Sequence, residues 1–236
     1  GTDTTISGDL SVVYYGGDVT LDSIAGTFAD KNVAEGKAVT ALMSIKGSDA
    51  FNYNFIQPEG LTADITKRDL VLSGFTADSR IYNGTTGATG SFSDDRVFGD
   101  EIEFGYLANF DTENTGTGKT VSFTGIAITG GADAGNYSLV TTEGTATADV
   151  LRKDLLITLI DNSKIYGSTD PVFGIEYSGF IPGEGPADIC NEVFIYRKTG
   201  EAVGTYPIKV ILIGRFDTDG DPATVLNYNI PVNDGD

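Results

Sequence analysis

The chain of 236 residues has no histidine and no tryptophan, one cysteine and one methionine. Without histidine, the commonest general base near neutral pH and the commonest transition-metal ligand are both missing. Cys190 stands alone, so no intrachain disulfide can form. With no imidazole to activate it, it reads as a small buried hydrophobe rather than a nucleophile. Basic residues are scarce, 15 Lys plus Arg against 34 Asp plus Glu, for a net charge of −19. The acidic excess is spread along the chain and no basic stripe interrupts it, so nucleic acid and anionic membrane surfaces are not expected partners. No run approaches the roughly 18 apolar residues of a membrane span. No charged-then-apolar signal peptide opens the sequence, and the start at Gly1-Thr2 suggests a mature or excised segment.

What is present is repetition. Lys67-Arg68-Asp69-Leu70 returns as Arg152-Lys153-Asp154-Leu155, and Ile81-Tyr82-Asn83-Gly84 as Ile165-Tyr166-Gly167-Ser168. Asn52-Tyr53 returns as Asn136-Tyr137 and again as Asn227-Tyr228. The Asn32–Val39 stretch matches 114–121, with Gly36-Lys37 over Gly118-Lys119. Offsets of 82 to 85 residues, with a looser last step from Asn136 to Asn227, correspond to one small domain, longer than the 20–50 residues of a solenoid repeat. The period divides the chain into three units, 1–66, 67–151 and 152–236. Arrays of this kind supply length, spacing or valency more often than chemistry.

Short alternating runs argue for an all-β fold. Ile102, Phe104 and Tyr106 share one face, as do Val121 and Phe123, while Leu155–Ile160, Glu192–Tyr196 and Ile208–Ile213 are rich in β-branched residues. Gly, Thr, Ser, Asn and Asp punctuate every ten residues or so. No window carries a helical stripe; Asp49–Asn52 and Asp133–Asn136 each suit a single helical turn or an Asx turn. The joints at Gly60–Ser73 and Thr145–Leu159 read as strand, short polar link, strand, with no proline. Such joints predict a semi-rigid rod.

Aligning the repeats leaves the first unit without a counterpart of Leu70–Asn83 and the third without one of Gly144–Val150. An open strand slot exposes backbone donors and acceptors and invites pairing. Two expectations follow. The chain is an excised stretch of a longer array, or neighbouring modules or identical subunits fill the open edges by strand complementation and build a filament.

Several motifs resemble the YDG repeat of bacterial surface proteins. In the first unit these are Gly17-Asp18-Val19-Thr20-Leu21, Phe28-Ala29-Asp30-Lys31-Asn32-Val33 and Gly36-Lys37-Ala38-Val39. In the second they are Ile81-Tyr82-Asn83-Gly84-Thr85-Thr86, with Asn83 where the signature has Asp, and Gly131-Ala132-Asp133-Ala134-Gly135-Asn136-Tyr137. The third unit is similar to the related MBG module, a mostly-β, grasp-like domain, through 164–171, Gly204-Thr205-Tyr206 and Asn227-Tyr228. The resemblance implies three small β-sandwich or β-grasp-like modules in the stalk of an extracellular, cell-surface adhesin. It implies no catalytic residue, so no enzyme is expected. A host or surface glycan is the alternative partner, for which the adjacent Tyr14 and Tyr15 are weak support.

The sharpest local motif for a cofactor is Asp217-Thr218-Asp219-Gly220-Asp221. Alternating carboxylates on a glycine bend suit calcium, which takes several hard oxygen ligands. Asp217, Asp219 and Asp221 are the expected metal ligands, although Tyr228 stands where an EF-hand has its bidentate Glu. A solvated acidic loop is the competing reading, and the terminal Asn233-Asp234-Gly235-Asp236 is weaker still. Asp94-Asp95 and Asp100-Glu101 are paired carboxylates of a type glycosidases use, but adjacent acids are common in surface loops. Lys37 and Lys119 read as exposed hairpin lysines rather than partners in an isopeptide cross-link. Tyr82 and Tyr166 are expected to bury their rings and keep their hydroxyls wet.

Overall fold

The computed structural model describes residues 3–4, 17–214 and 227–230. The chain is all-β, and the longest α-helix among the described residues is the single turn Pro186–Ile189. Among the described residues no helix is long and apolar enough to cross a membrane. Packing divides the chain into two compact units, one of Gly1–Leu72, Asp94–Gly105 and Ile126–Thr142, the other of Ser73–Ser93, Tyr106–Gly125 and Glu143–Asp236.

The first unit contains a four-stranded antiparallel sheet in chain order: Asp3–Thr4, Thr20–Phe28, Ala34–Lys46 and Thr62–Ile65. Its central pair runs from Thr20 opposite Lys46 to Phe28 opposite Val39, with a shift of register between Leu21 and Ser23. The pairing of Ala34–Lys46 with Thr62–Ile65 is interrupted between Ala34 and Lys37. Gly36 sits there at φ +59°, and its N–H donates to Asp64 Oδ1 at 2.7 Å. This is a β-bulge in which glycine takes the left-handed position at no steric cost. The second unit repeats the device where Gly116–Gly130 meets Gly144–Leu151: Gly118 lies at φ +60° in the interruption and donates to Asp149 Oδ1 at 2.7 Å.

A second repeated element is a parallel two-stranded pair. Arg68–Leu70 lies beside Tyr137–Leu139 in the first unit, and Lys153–Asp154 beside Tyr228–Asn229 in the second. Each brings a leucine of the basic-Asp-Leu motif into full burial, Leu70 and Leu155 both at 0% exposure. Leu70 packs with Ile102 and Tyr137, flanked by Phe104, Ile128 and Leu139.

The second unit has its own aromatic core. Phe123 is fully buried, with Phe75 at 5.3 Å, Tyr106 at 5.6 Å and Phe92 at 6.4 Å between ring centroids. Val121 is buried on the same face, as the alternation of that strand predicts. Further along, Leu156–Leu159 pairs with Ile175–Ser178, and Cys190–Arg197 with Ile208–Gly214. Cys190 is buried with Sγ 3.3 Å from the Pro186 carbonyl, and burial raises its thiol pKa.

Both sites expected to hold a helical turn do so. Ala50–Asn52 and Ala134–Asn136 are 3-10 turns, preceded by Asp49 and Asp133 in almost identical backbone conformations and followed by extended Tyr53 and Tyr137.

Candidate functional site

The 3-10 turn ending at Asn136 presents a carboxamide with two partners. Asn136 Oδ1 accepts from the Val33 N–H at 2.9 Å, and Nδ2 donates to Asn32 Oδ1 at 3.1 Å. The next residue, Tyr137, donates its hydroxyl to Asp100 Oδ2 at 2.6 Å and accepts from the Val97 N–H at 2.9 Å. Lys31 closes the group, reaching Asp100 Oδ1 at 2.5 Å and Asp133 Oδ1 at 2.7 Å. Asp133 also accepts the Glu101 N–H at 3.0 Å. Lys31, and then the Tyr137 hydroxyl, hold the Asp100 carboxyl below its usual range. Lys31, and then the Glu101 amide, do the same for Asp133. The two carboxylates raise Lys31 in return. Burial, and then Asp100, push the Tyr137 phenol up.

The second unit contains the same clamp built from different residues. Asn227 Oδ1 accepts from the Thr115 N–H at 2.9 Å, and Nδ2 donates to Asn114 Oδ1 at 3.0 Å. Tyr228 donates its hydroxyl to Glu184 Oε2 and accepts from the Ile181 N–H at 3.2 Å. Where Lys31 stood in the first clamp, Tyr82 donates to Glu184 Oε1 at 2.5 Å. The Tyr82 and Tyr228 rings meet edge-on, 5.7 Å apart. Burial, assisted by the Glu184 carboxylate, pushes the Tyr228 phenol up to about 12 and raises Tyr82 as well.

Each clamp thus joins an asparagine-bearing hairpin turn to an Asn-Tyr dipeptide about a hundred residues further on through the asparagine carboxamide, while a carboxylate holds the neighbouring tyrosine hydroxyl. Its polar atoms satisfy one another, as buried groups must. The Asn-Tyr dipeptides were visible as repeats. Asp100 was noted only as half of an adjacent acidic pair, and Glu184 was not singled out. The signal was available: Gly99-Asp100 and Gly183-Glu184 lie 84 residues apart, each glycine at positive φ, +92° and +96°.

The hairpin lysines differ from expectation. Lys37 and Lys119 side chains are only 10% and 11% exposed. Lys37 Nζ bonds Asp30 and the Asn32 carbonyl; Lys119 Nζ reaches Asp111 at 2.8 Å and Thr112 Oγ1 at 2.6 Å. Each amine folds back to fill the acceptors of its own turn, which explains its burial. Tyr82 also departs from the reading, since its hydroxyl is held by Glu184 rather than by water. Tyr166 departs further: it is 74% exposed, ring included, because its segment lies on the rim of a cavity rather than against a clamp. The expected carboxylate pairs are engaged. Asp94 is held by Arg96 at 2.5 Å, Asp95 accepts from the Val71 N–H at 2.8 Å, and Asp100 belongs to the first clamp.

That cavity, of about 590 Å³, lies between 159–173 and 197–208. Four of its lining groups form a closed ion-pair ring: Lys164 to Asp170 at 2.7 Å and to Glu201 at 2.9 Å, Arg197 to Asp170 at 2.9 Å and to Glu201 at 2.7 Å. The Arg197 guanidinium stacks over Tyr206 at 5.0 Å.

Asp217, Asp219 and Asp221 lie outside the described residues, as do Tyr14, Tyr15 and 233–236. Among the described residues no group of three or more acidic or cysteine side chains is placed to hold a metal ion.

Comparison with known proteins matches the chain to two families. A YDG domain model matches residues 1–61 and 66–147, and an MBG domain model of the YGX type matches 155–236. No curated protein and no solved structure matches the chain.

Proposed function

The chain belongs to the YDG domain family, and on that premise we propose that it is a structural tandem-repeat segment of a bacterial extracellular surface protein, an adhesin stalk or surface appendage. Its modules are 1–66, 67–151 and 152–236, two of YDG type and one of MBG type. The observation that carries the reading is the clamp itself. A side-chain arrangement that recurs at Asn32/Asn136 and at Asn114/Asn227, with the carboxylate changed from Asp100 to Glu184 and its second donor from Lys31 to Tyr82, serves to hold successive modules together. The reading assigns no reaction: the chain lacks histidine, and the carboxylates of both clamps are bound to structural donors.

The test is surface accessibility in cells that produce the protein. Antibody labelling of intact cells, and its loss on brief external protease treatment, is the expected result. Labelling only after the envelope is permeabilised overturns the surface assignment.

A glycan-binding adhesin module is the second reading, favoured by the cavity beside Tyr166 and Tyr206. Aromatic faces next to bidentate polar groups suit sugar rings and hydroxyls. A glycan array probed with the intact chain tests it: binding lost in Tyr206→Ala supports it, and an array without signal removes it.

A further inference from the structure

Asn83-Gly84 is the one Asn-Gly step in the sequence, and both residues are exposed. The Asn83 carboxamide folds back over the peptide that follows it. Its Oδ1 accepts from the Thr85 N–H at 3.1 Å and from the Thr85 hydroxyl at 2.9 Å, and also from Arg80 Nη1. The ring closed by the Thr85 N–H bond contains both Asn83 Cγ and the Gly84 nitrogen. Gly84 lies at φ +71°, where a Cβ would stand 2.4 Å from Ile181 Cδ1. Glycine is therefore required here, and no side chain of its own screens its nitrogen from Asn83 Cγ.

Arg80 supplies an independent observation. It is half-buried, its guanidinium lies 5.1 Å over the Phe110 ring, and its Nε is buried without a hydrogen-bond partner. Its other bonds go to neutral oxygens. Nη1 donates to the Ile81 carbonyl at 3.3 Å and to Asn83 Oδ1, and Nη2 donates to the Thr85 carbonyl. Among the described residues no carboxylate pairs with Arg80, whereas Arg68, Arg96 and Arg197 each have one. Burial lowers its pKa from the usual arginine value. A desolvated cation without a counter-ion costs stability. Asn83 Oδ1, meanwhile, receives more donors than a neutral amide oxygen has lone pairs. The turn is thus arranged for an anionic oxygen at this position.

We propose that the folded chain converts Asn83 to aspartate without an enzyme, and that the new carboxylate becomes the counter-ion of Arg80. The Gly84 nitrogen attacks Asn83 Cγ and yields its proton to solvent as the N–Cγ bond forms. The Cγ–Nδ2 bond then breaks, and ammonia leaves with a proton taken from solvent. A succinimide ring remains. Water adds at Cγ, the N–Cγ bond breaks, and the Gly84 nitrogen regains its proton. The result is an aspartate at position 83 and an intact main chain. In both additions negative charge develops on Oδ1, where Arg80 and Thr85 already donate, the arrangement of a preorganised oxyanion site. The same donors direct water to Cγ rather than to the main-chain carbonyl, whose hydrolysis would give isoaspartate. The product carboxylate accepts the donors that overfill the amide oxygen, and its bond to Arg80 becomes charge-assisted.

The test is peptide mapping of the intact chain after incubation at neutral pH, with electron-transfer fragmentation to separate aspartate from isoaspartate. The reference is a blocked synthetic peptide of residues 78–88. Conversion at position 83 is expected to run about tenfold faster in the folded chain than in the peptide, and Thr85→Val, which removes the hydroxyl donor and keeps the N–H, should lose most of that advantage. Aspartate is the expected product. Asn83→Asp should melt higher than the unconverted chain, separated by ion exchange, and the gain should vanish when both carry Arg80→Gln. A folded chain that converts no faster than the peptide overturns the self-conversion. Isoaspartate as the main product, an Asn83→Asp chain that melts no higher, or a gain that survives Arg80→Gln overturns the pairing with Arg80. Neither readout depends on where the protein resides, so failure here is distinct from failure of the stalk reading.

Discussion

The Asn136 side chain donates to the Asn32 side chain at 3.1 Å across 104 residues of sequence, and both atoms of its amide are used because the Val33 N–H fills the other. Asn227 treats Asn114 and Thr115 in the same way at 3.0 and 2.9 Å. A side-chain amide that saves a turn N–H from being unpaired contributes more when it is buried. Asn227 is 2% exposed, whereas Asn136 is half-buried. Asn227→Ala is therefore expected to cost about 2–3 kcal/mol and Asn136→Ala about 1. Asn52→Ala, at an exposed position whose side chain has no partner among the described residues, should stay within about 0.5 kcal/mol. Urea denaturation of the three variants checks the order.

The first clamp should be acid-labile. The native pKa values of Asp100 and Asp133 lie below their ordinary values, chiefly through Lys31. Groups depressed in the native state contribute stability that is complete above the unfolded pKa, near 3.9 for Asp. That stability fades as pH falls through the native value. Melting temperature should thus drop as pH falls below about 4. Lys31→Gln removes the cation, brings the native values closer to the unfolded ones and weakens this dependence, leaving the share due to the Tyr137 hydroxyl and the Glu101 amide. The second clamp should fail at the alkaline end: Tyr228, pushed up to about 12, contributes stability present below the unfolded value near 10 and lost as pH rises through the native one. Thermal melts from pH 2 to 12 read both limbs.

Phe123 is the centre of the second unit's aromatic cluster and is fully buried. Truncation to alanine removes a ring and leaves a void, at an expected cost of about 3–5 kcal/mol. Calorimetry should show this loss in the transition of the unit that contains it.

Gly131 occupies φ +106°, and a Cβ there would lie 2.3 Å from the Glu101 carbonyl oxygen. Gly131→Ala is expected to destabilise by about 2 kcal/mol or more. Gly135, four residues on, has nothing within 4 Å of its Cβ position, so Gly135→Ala should change stability by less than about 1 kcal/mol. Paired denaturation curves separate backbone strain from a general intolerance of the loop.

Calcium bound by Asp217, Asp219 and Asp221, the ligands expected from sequence, should raise the melting temperature in excess calcium relative to chelator, since a ligand held by the native state alone stabilises it. Asp219→Asn should remove the difference. Equal melts in calcium and chelator would assign the loop to solvated acid.

The sequence by itself determined the all-β class, the repeat period and the sites of the two 3-10 turns. Each of these depends on local chemistry: alternation such as Val121/Phe123, glycine at bulges such as Gly36 and Gly118, and an aspartate before a tight turn. It also exposed the Asn-Tyr dipeptides, because they recur. It did not reveal what they bind. Asn136 meets Asn32, and Glu184 gathers Tyr82 and Tyr228, across separations of 44 to 104 residues, and no local pattern records which distant turn a carboxamide will face. For the same reason Tyr82 and Tyr166, alike in their repeats, ended in opposite environments, one against a carboxylate and the other on a cavity rim. Burial is a property of what folds over a residue, and that was decided only when strands remote in sequence were brought together.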